Sequence, residues 1–263
     1  MLDATRQLAV VTGASSGIGL ELAKLCAKDG YDLIVAADDP KIEQAAEQLK
    51  RDGVQVESLL VDLATLEGVD KLYARIGGRP VAALLANAGH GLGKGFLDQN
   101  WEDIRHVVDT NITGTIYLIH KIGRDMRQQG DGKILITGSI AGYIPGSYQA
   151  VYNGSKAFID SFSYALREEL RDTRMTVTVL MPGPTETEFF ERAELMDTKV
   201  GVQEKDDPAK VAKDGYDAML AGEGGVVSGW QNKMQVKAAG IVPPEHMAKK
   251  HTELAEPGSA KKK

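Results

Sequence analysis

The sequence predicts an α/β fold: a doubly wound parallel sheet of about seven strands with helices on both faces. Three observations predict it. Short apolar runs alternate along the chain with helix-length amphipathic segments. Most of these runs are apolar throughout rather than at every second position, as strands covered on both faces are. Glycine and proline punctuate the joins, where a chain must turn.

Leu8-Ala-Val-Val-Thr12 reads as the first strand, and Ile18 to Asp29 as a helix that Gly30 ends in a left-handed conformation. Asp32-Leu-Ile-Val-Ala36 is the second strand. Pro40 to Arg51 is a helix with proline in its first turn, closed by Asp52-Gly53. Val54 to Val61 alternates at first and then turns apolar, as a third strand. Val81-Ala-Ala-Leu-Leu85 is the fourth, after Gly77-Gly-Arg-Pro80. A long helical stretch runs from about Trp101 to Gln128. Lys133-Ile-Leu-Ile-Thr137 is the fifth strand and Val151 to Arg171 a second long helix. Thr176-Val-Thr-Val-Leu180 is the sixth strand, and Gly225-Val-Val-Ser228 a seventh. Residues 1–256 read as one domain. Residues 257–263 are small, polar and basic, and are expected to form a disordered tail.

Composition bounds the function. At 263 residues, 43% of them hydrophobic and 26% charged, the chain is long enough for one sizeable core. A net charge of −6 argues against a broad nucleic-acid footprint. The single cysteine, Cys26, lies in the apolar pattern of its helix and reads as a structural thiol, so no disulfide framework is expected. No basic segment followed by a long apolar stretch opens the chain, and no apolar run is long enough to span a bilayer. A cytoplasmic protein without membrane or nucleic-acid partners is expected.

Two motifs carry chemistry. Thr12-Gly-Ala-Ser-Ser-Gly-Ile-Gly19 follows the first strand and opens a helix. Gly13, Gly17 and Gly19 allow a tight turn and close backbone approach to a pyrophosphate, which meets the free N–H groups of the helix start. The alternative is a tight turn without a ligand. Asp38 lies 19 residues after Gly19 and is followed by Asp39. An acid there suits the ribose 2′-hydroxyl of NAD, and two carboxylates repel the 2′-phosphate of NADP. NAD(H) is therefore favoured. Lys41 leaves NADP(H) open, and helix capping is the structural alternative for both acids. The second motif, Tyr152-Asn-Gly-Ser-Lys156, sets a phenol and an ammonium one helical turn apart on one face. A neighbouring positive charge eases proton exchange by a phenol. The pair suggests a nicotinamide-dependent carbonyl reductase or alcohol dehydrogenase.

With Val61-Asp62-Leu63, Asn87-Ala-Gly89, Asn111-Ile-Thr-Gly114, Ser139 and Pro182-Gly183 added, the chain resembles the short-chain dehydrogenase/reductase superfamily over about residues 7 to 230. Pro182-Gly-Pro-Thr-Glu-Thr-Glu-Phe-Phe190 and Ser155-Lys-Ala-Phe-Ile159 look like a bacterial reductase subgroup with broad or unassigned substrates. The resemblance implies a Rossmann-type sheet, hydride exchange with a small carbonyl or alcohol substrate, and a homodimer or homotetramer formed through the two long helices. It implies Tyr152 as general acid and base, with Lys156 bonding the nicotinamide ribose and lowering the Tyr152 pKa. Ser139 would hold the substrate oxygen, and Asn111 a water linking Lys156 to solvent. Ser15, Ser16 and Ile18 would join the glycine loop around the cofactor, and Leu63 would flank Asp62 at the adenine. Asn87, Ala88 and Gly89 would wall the cofactor, with Pro182, Gly183, Thr185 and Thr187 at its nicotinamide end. Ala86 departs from the family pattern, where a second Asn is frequent.

Other features are open. His90 either borders the substrate or is a loop histidine. The five histidines show no metal-ligand spacing, so no metal is expected. Glu186, Glu188, Glu191 and Glu194 read as the wet face of a lid helix, and Phe189 and Phe190 either line a pocket or join the core. The rival enzyme is an NADPH-dependent 3-oxoacyl reductase. The Tyr-to-Lys spacing disfavours an enoyl reductase. The rival from another class is a non-catalytic dinucleotide-binding redox sensor.

Overall fold

A computed structural model describes residues 6–261. Seven parallel strands pair in the order β3-β2-β1-β4-β5-β6-β7. The first half alternates β1 (Leu8–Thr12), α1 (Gly17–Lys28), β2 (Asp32–Ala37), α2 (Lys41–Leu49), β3 (Val56–Leu60), α3 (Leu66–Ile76) and β4 (Val81–Ala86). The second half holds α4 (Trp101–Val108), α5 (Thr115–Gln129), β5 (Asp131–Thr137), α6 (Ala150–Glu169) and β6 (Arg174–Met181). Then come α7 (Phe189–Arg192), α8 (Lys199–Val202), α9 (Pro208–Leu220), β7 (Gly225–Val227), α10 (Trp230–Ala239) and α11 (Pro244–Ala255).

Why the strands are apolar throughout follows from their two faces. Successive side chains of β1 point to opposite sides of the sheet. Ala9 and Val11 pack with Leu22, Ile42 and Val211 under α1, α2 and α9. Leu8 and Val10 pack with Leu72, Ile122 and Ile159 under α3, α5 and α6. Cys26 is wholly buried in the first layer, and burial pushes its thiol up to about 12, so it stays protonated. Helix starts are fixed locally: the Thr65 hydroxyl accepts from Gly68 N–H ahead of α3, and the Asp207 carboxylate accepts from Ala209 N–H ahead of α9. Glycines in left-handed conformation close α3 at Gly77 and α5 at Gly130.

Three features differ from the expectation or add to it. The helical stretch from Trp101 runs on to Gln129 as expected, but its middle, Asp109–Gly114, is π-helical rather than α-helical. Residues 257–263, expected as a disordered tail, are ordered as far as they are described. Ser259–Lys261 forms a 3-10 turn, and Ser259 is 1% exposed, its hydroxyl accepting from Lys199 N–H. Lys262 and Lys263 lie outside the described residues. Helices α3 and α9, for which no expectation was formed, also carry core residues such as Leu72 and Val211.

The site's position follows from the strand order. From β3 at the sheet edge the chain crosses back to pair β4 on the other side of β1. The loops that follow β1 and β4 therefore part in opposite directions and open a crevice at the strand ends. Among the described residues no helix is long and apolar enough to cross a membrane.

Candidate active site

The β1–α1 loop enters the crevice first. Gly13 and Gly17 have φ of 65° and 55°, a region that side chains with a Cβ avoid. Ser16 precedes α1 without a side-chain capping bond, so the first helical N–H groups face the cleft. Gly19 stands behind them; a Cβ there would overlap the Gly13 carbonyl oxygen. The cleft measures about 780 Å³, and Gly13, Ser15, Ser16, Gly17 and Ile18 line one end. A loop open for lack of Cβ atoms, with unused backbone donors, fits a pyrophosphate.

Asp38, Asp62 and Leu63 line the same end from the β2 and β3 termini. Asn87 N–H and Ala88 N–H both donate to the Thr12 hydroxyl at 3.0 Å. The Asn87 side chain donates to the Thr12 carbonyl and accepts from the Thr137 hydroxyl. One amide thus spans β1, β4 and β5 and fixes the cleft floor. Asn87, Ala88 and Gly89 line it.

Ser139, Tyr152 and Lys156 meet across the crevice, with Pro182, Gly183, Thr185 and Thr187 on the facing wall. Helix α6 carries Tyr152 and Lys156 on one face, as the spacing requires. Lys156 Nζ donates to the Thr137 carbonyl at 2.8 Å and lies 5.9 Å from the Tyr152 ring centre. Asn111 is buried behind the cleft wall, inside the π-helical segment. Its Nδ2 donates to the His90 carbonyl at 2.8 Å and the Ser155 hydroxyl at 2.9 Å, and its Oδ1 accepts from His90 N–H. A Cβ on Gly89 would stand 3.3 Å from Asn111 Oδ1 and 3.4 Å from Lys156 Nζ. The missing side chain keeps the space between these two atoms open.

Electrostatics corrects one expectation. The pKa of Tyr152 is not lowered. Burial pushes its hydroxyl up to about 12, against the downward pull of the Ser139 hydroxyl. The Phe189 ring contributes to that burial, its centre 5.0 Å from the Tyr152 ring. Lys156 is buried as well, which disfavours its ammonium and lowers its pKa to about 8 against the pull of Asp160. Asp160, one turn after Lys156, is buried with Oδ1 accepting from Ser139 N–H and Oδ2 without a partner; burial raises its pKa.

Several contacts were hidden from sequence reading by chain distance. Arg192, on α7, reaches Asp38 at 2.7 Å, 154 residues away in sequence. His90 Nε2 lies 3.0 Å from the same oxygen, which puts His90 at the Asp38 end of the cleft. The Asp38 carboxyl is held well below the usual range, first by the His90 hydrogen bond and then by Arg192, against partial burial. His90, His106 and Asp38 bring donor atoms within 4.8 Å of one another, a cluster that spacing alone does not disclose. The Arg192 guanidinium already sets a positive charge where a cation would bind. Lys41 pairs with Glu188 at 2.6 Å, so this lid carboxylate is engaged rather than simply wet. Phe189 lines the cleft and Phe190 is buried with Ala193 and Leu195.

Comparison with known proteins agrees with this architecture. The family model described as short chain dehydrogenase matches residues 7–197. An uncharacterized oxidoreductase of Myxococcus xanthus is 30% identical over 255 residues, covering 92% of this chain and 95% of its own length. A very-long-chain 3-oxoacyl-CoA reductase of Pyricularia oryzae is 32% identical over 180 residues, 66% of this chain and 54% of that protein. A short-chain dehydrogenase from Sphingobium yanoikuyae, solved in complex with NADPH, superposes with a TM-score of 0.80 at 25% identity, covering 90% of this chain and 96% of that one.

Proposed function

The chain belongs to the short chain dehydrogenase family, and on that premise we propose that Tyr152 is the acid and base of its reaction, with Ser139, Lys156 and Asn111 in support. The protein is a nicotinamide-dependent oxidoreductase acting on a secondary alcohol or its carbonyl. The observation that carries the proposal is the meeting of Ser139, Tyr152 and Lys156 in one cleft whose other end is the glycine loop.

The cofactor supplies or accepts the hydride. In reduction the Tyr152 hydroxyl donates its proton to the substrate oxygen; in oxidation the phenolate takes one back. The Ser139 hydroxyl, beside Tyr152, donates to the same oxygen as charge develops on it. Lys156 orients the nicotinamide ribose and returns a proton to Tyr152. The space kept by Gly89 admits a water between Lys156 Nζ and Asn111 Oδ1. The bonds of Asn111 to His90 and Ser155 hold that oxygen in place. Asp62, with Leu63 beside it, takes the adenine amino group, and Thr185 and Thr187 shape the nicotinamide end. The cofactor is NAD(H), because an ionised Asp38 accepts ribose hydroxyls and repels a 2′-phosphate.

One observation favours NADP(H) as a second reading: Arg192 brings a guanidinium to the Asp38 end of the cleft. The kinship with a 3-oxoacyl-CoA reductase supports a 3-oxoacyl substrate to the same degree. Fluorescence titration with NADH and NADPH, alongside turnover on simple ketones, tests all of this. Tyr152→Phe should lower kcat at least about a hundredfold and leave cofactor affinity unchanged. Normal turnover by that variant refutes the assignment. Tighter binding of NADPH than NADH refutes the cofactor choice, and cofactor binding without any turnover identifies a sensor.

A further inference from the structure

Helix α11 closes the substrate end of the cleft and lies beyond residues 7–197, the part that the family model matches. It is tied to the turn that precedes Tyr152. The Ser147 hydroxyl donates to the Ala248 carbonyl at 2.8 Å, and His251 Nδ1 lies 2.8 Å from the Ser147 carbonyl oxygen. A carbonyl oxygen only accepts, so Nδ1 carries the proton of the ring. Nε2 of the neutral ring then presents a lone pair. Burial lowers the His251 pKa and favours that neutral form, against the Ser147 bond. His251 lines the cleft, and no hydrogen bond of Nε2 is present among the described residues.

Gln149 faces the same cavity three residues before Tyr152. Its carboxamide makes no hydrogen bond to a described residue, and its polar atoms are open to the cleft. Its donor and acceptor are therefore available to a ligand that enters the cavity. The turn that presents it is strained: Tyr148, a bulky residue, has φ of 63°. Ile140, Ile144, Phe189 and Leu254 make much of the remaining lining apolar.

We propose that Gln149 and His251 form a second polar anchor in the cleft, which selects ketones and secondary alcohols bearing an additional hydroxyl on an otherwise apolar skeleton. A hydroxyl satisfies both groups together: it accepts from the Gln149 N–H and donates to His251 Nε2. A second carbonyl has no proton for His251, and a carboxylate meets its lone pair with like charge. The inference rests on the oxidoreductase reading above.

The test compares cyclohexanone with its 2-, 3- and 4-hydroxy derivatives, reading kcat/KM for each. In the wild type at least one hydroxylated ketone should exceed cyclohexanone by about tenfold, chiefly through KM, as for one well-made hydrogen bond. In Gln149→Leu and in His251→Phe that ratio should collapse toward one. A wild-type ratio near one for all three, or a ratio that survives both substitutions, overturns the anchor. Failure of every ketone, cyclohexanone included, counts instead against the oxidoreductase reading. The anchor is then decided by binding, from the His251 Nε2 nitrogen resonance of the cofactor-loaded protein: a shift with a hydroxylated ketone but not with cyclohexanone supports it, and no difference refutes it.

Discussion

Phe189 shows how one apolar side chain sets the chemistry of a polar one. Its ring packs 5.0 Å from that of Tyr152 and helps to exclude water from the phenol, whose pKa is pushed up to about 12. In the proposed role, protonated Tyr152 is the acid that reduction uses. Alcohol oxidation needs the phenolate, so its rate rises with pH toward the Tyr152 pKa. Phe189→Ala admits water and removes part of the burial penalty, which lowers that pKa. The rise in oxidation rate should move to lower pH by roughly one unit, while Phe189→Leu, which keeps the site dry, should move it less. A pH–rate profile of the two variants checks this; coincident profiles would remove Phe189 from the account.

The β1–α1 turn is the element on which the proposed cofactor binding rests. Gly19 is there for packing rather than for direct contact: it does not line the cleft, but a Cβ would overlap the Gly13 carbonyl oxygen and crowd Asn87 Nδ2. Neither neighbour can retreat, because one is backbone and the other donates to the Thr12 carbonyl at 3.2 Å. Gly19→Ala should therefore lower stability by about 2 kcal/mol, as overpacked sites do, and weaken NADH binding more than tenfold. Thermal unfolding and an NADH titration measure both. The π-helical segment in Asp109–Gly114 shows a second way to build a site from an element. An irregular turn inside a helical stretch aims Asn111 at both His90 and Ser155.

At the scale of the whole molecule, the outer face of α6 is the unfinished surface. Phe158 is 42% exposed and stacks on Phe162 with ring centres 6.1 Å apart and planes 8° from parallel. Exposed aromatics grouped on a helix suit burial against another subunit. The expected state is a homodimer or homotetramer with α6 at an interface. Sedimentation velocity should show that state, and Phe158→Glu should shift it toward the monomer. A monomeric wild type would sink the expectation.

Sequence alone determined the fold class and located the glycine loop and the Tyr152–Lys156 pair. Apolar runs reveal strands covered on both sides, and a glycine triplet after a strand reveals the tight turn into α1. Tyr152 and Lys156 share a face because helical geometry follows from local spacing. Helices α3 and α9 were passed over, and the π-helical turn at Asp109–Gly114 has no proline to announce it. Tertiary structure decided what depends on contacts between distant residues. It set Arg192 against Asp38 and turned His90 to that same carboxylate. It raised the Tyr152 pKa where a neighbouring ammonium alone would lower it. It also docked α11 on the turn before Tyr152, which turned His251 toward the cleft. The physical reason is one of range. Backbone conformation and periodicity are written in a few neighbouring residues, whereas desolvation and charge pairing depend on whatever the completed fold brings alongside.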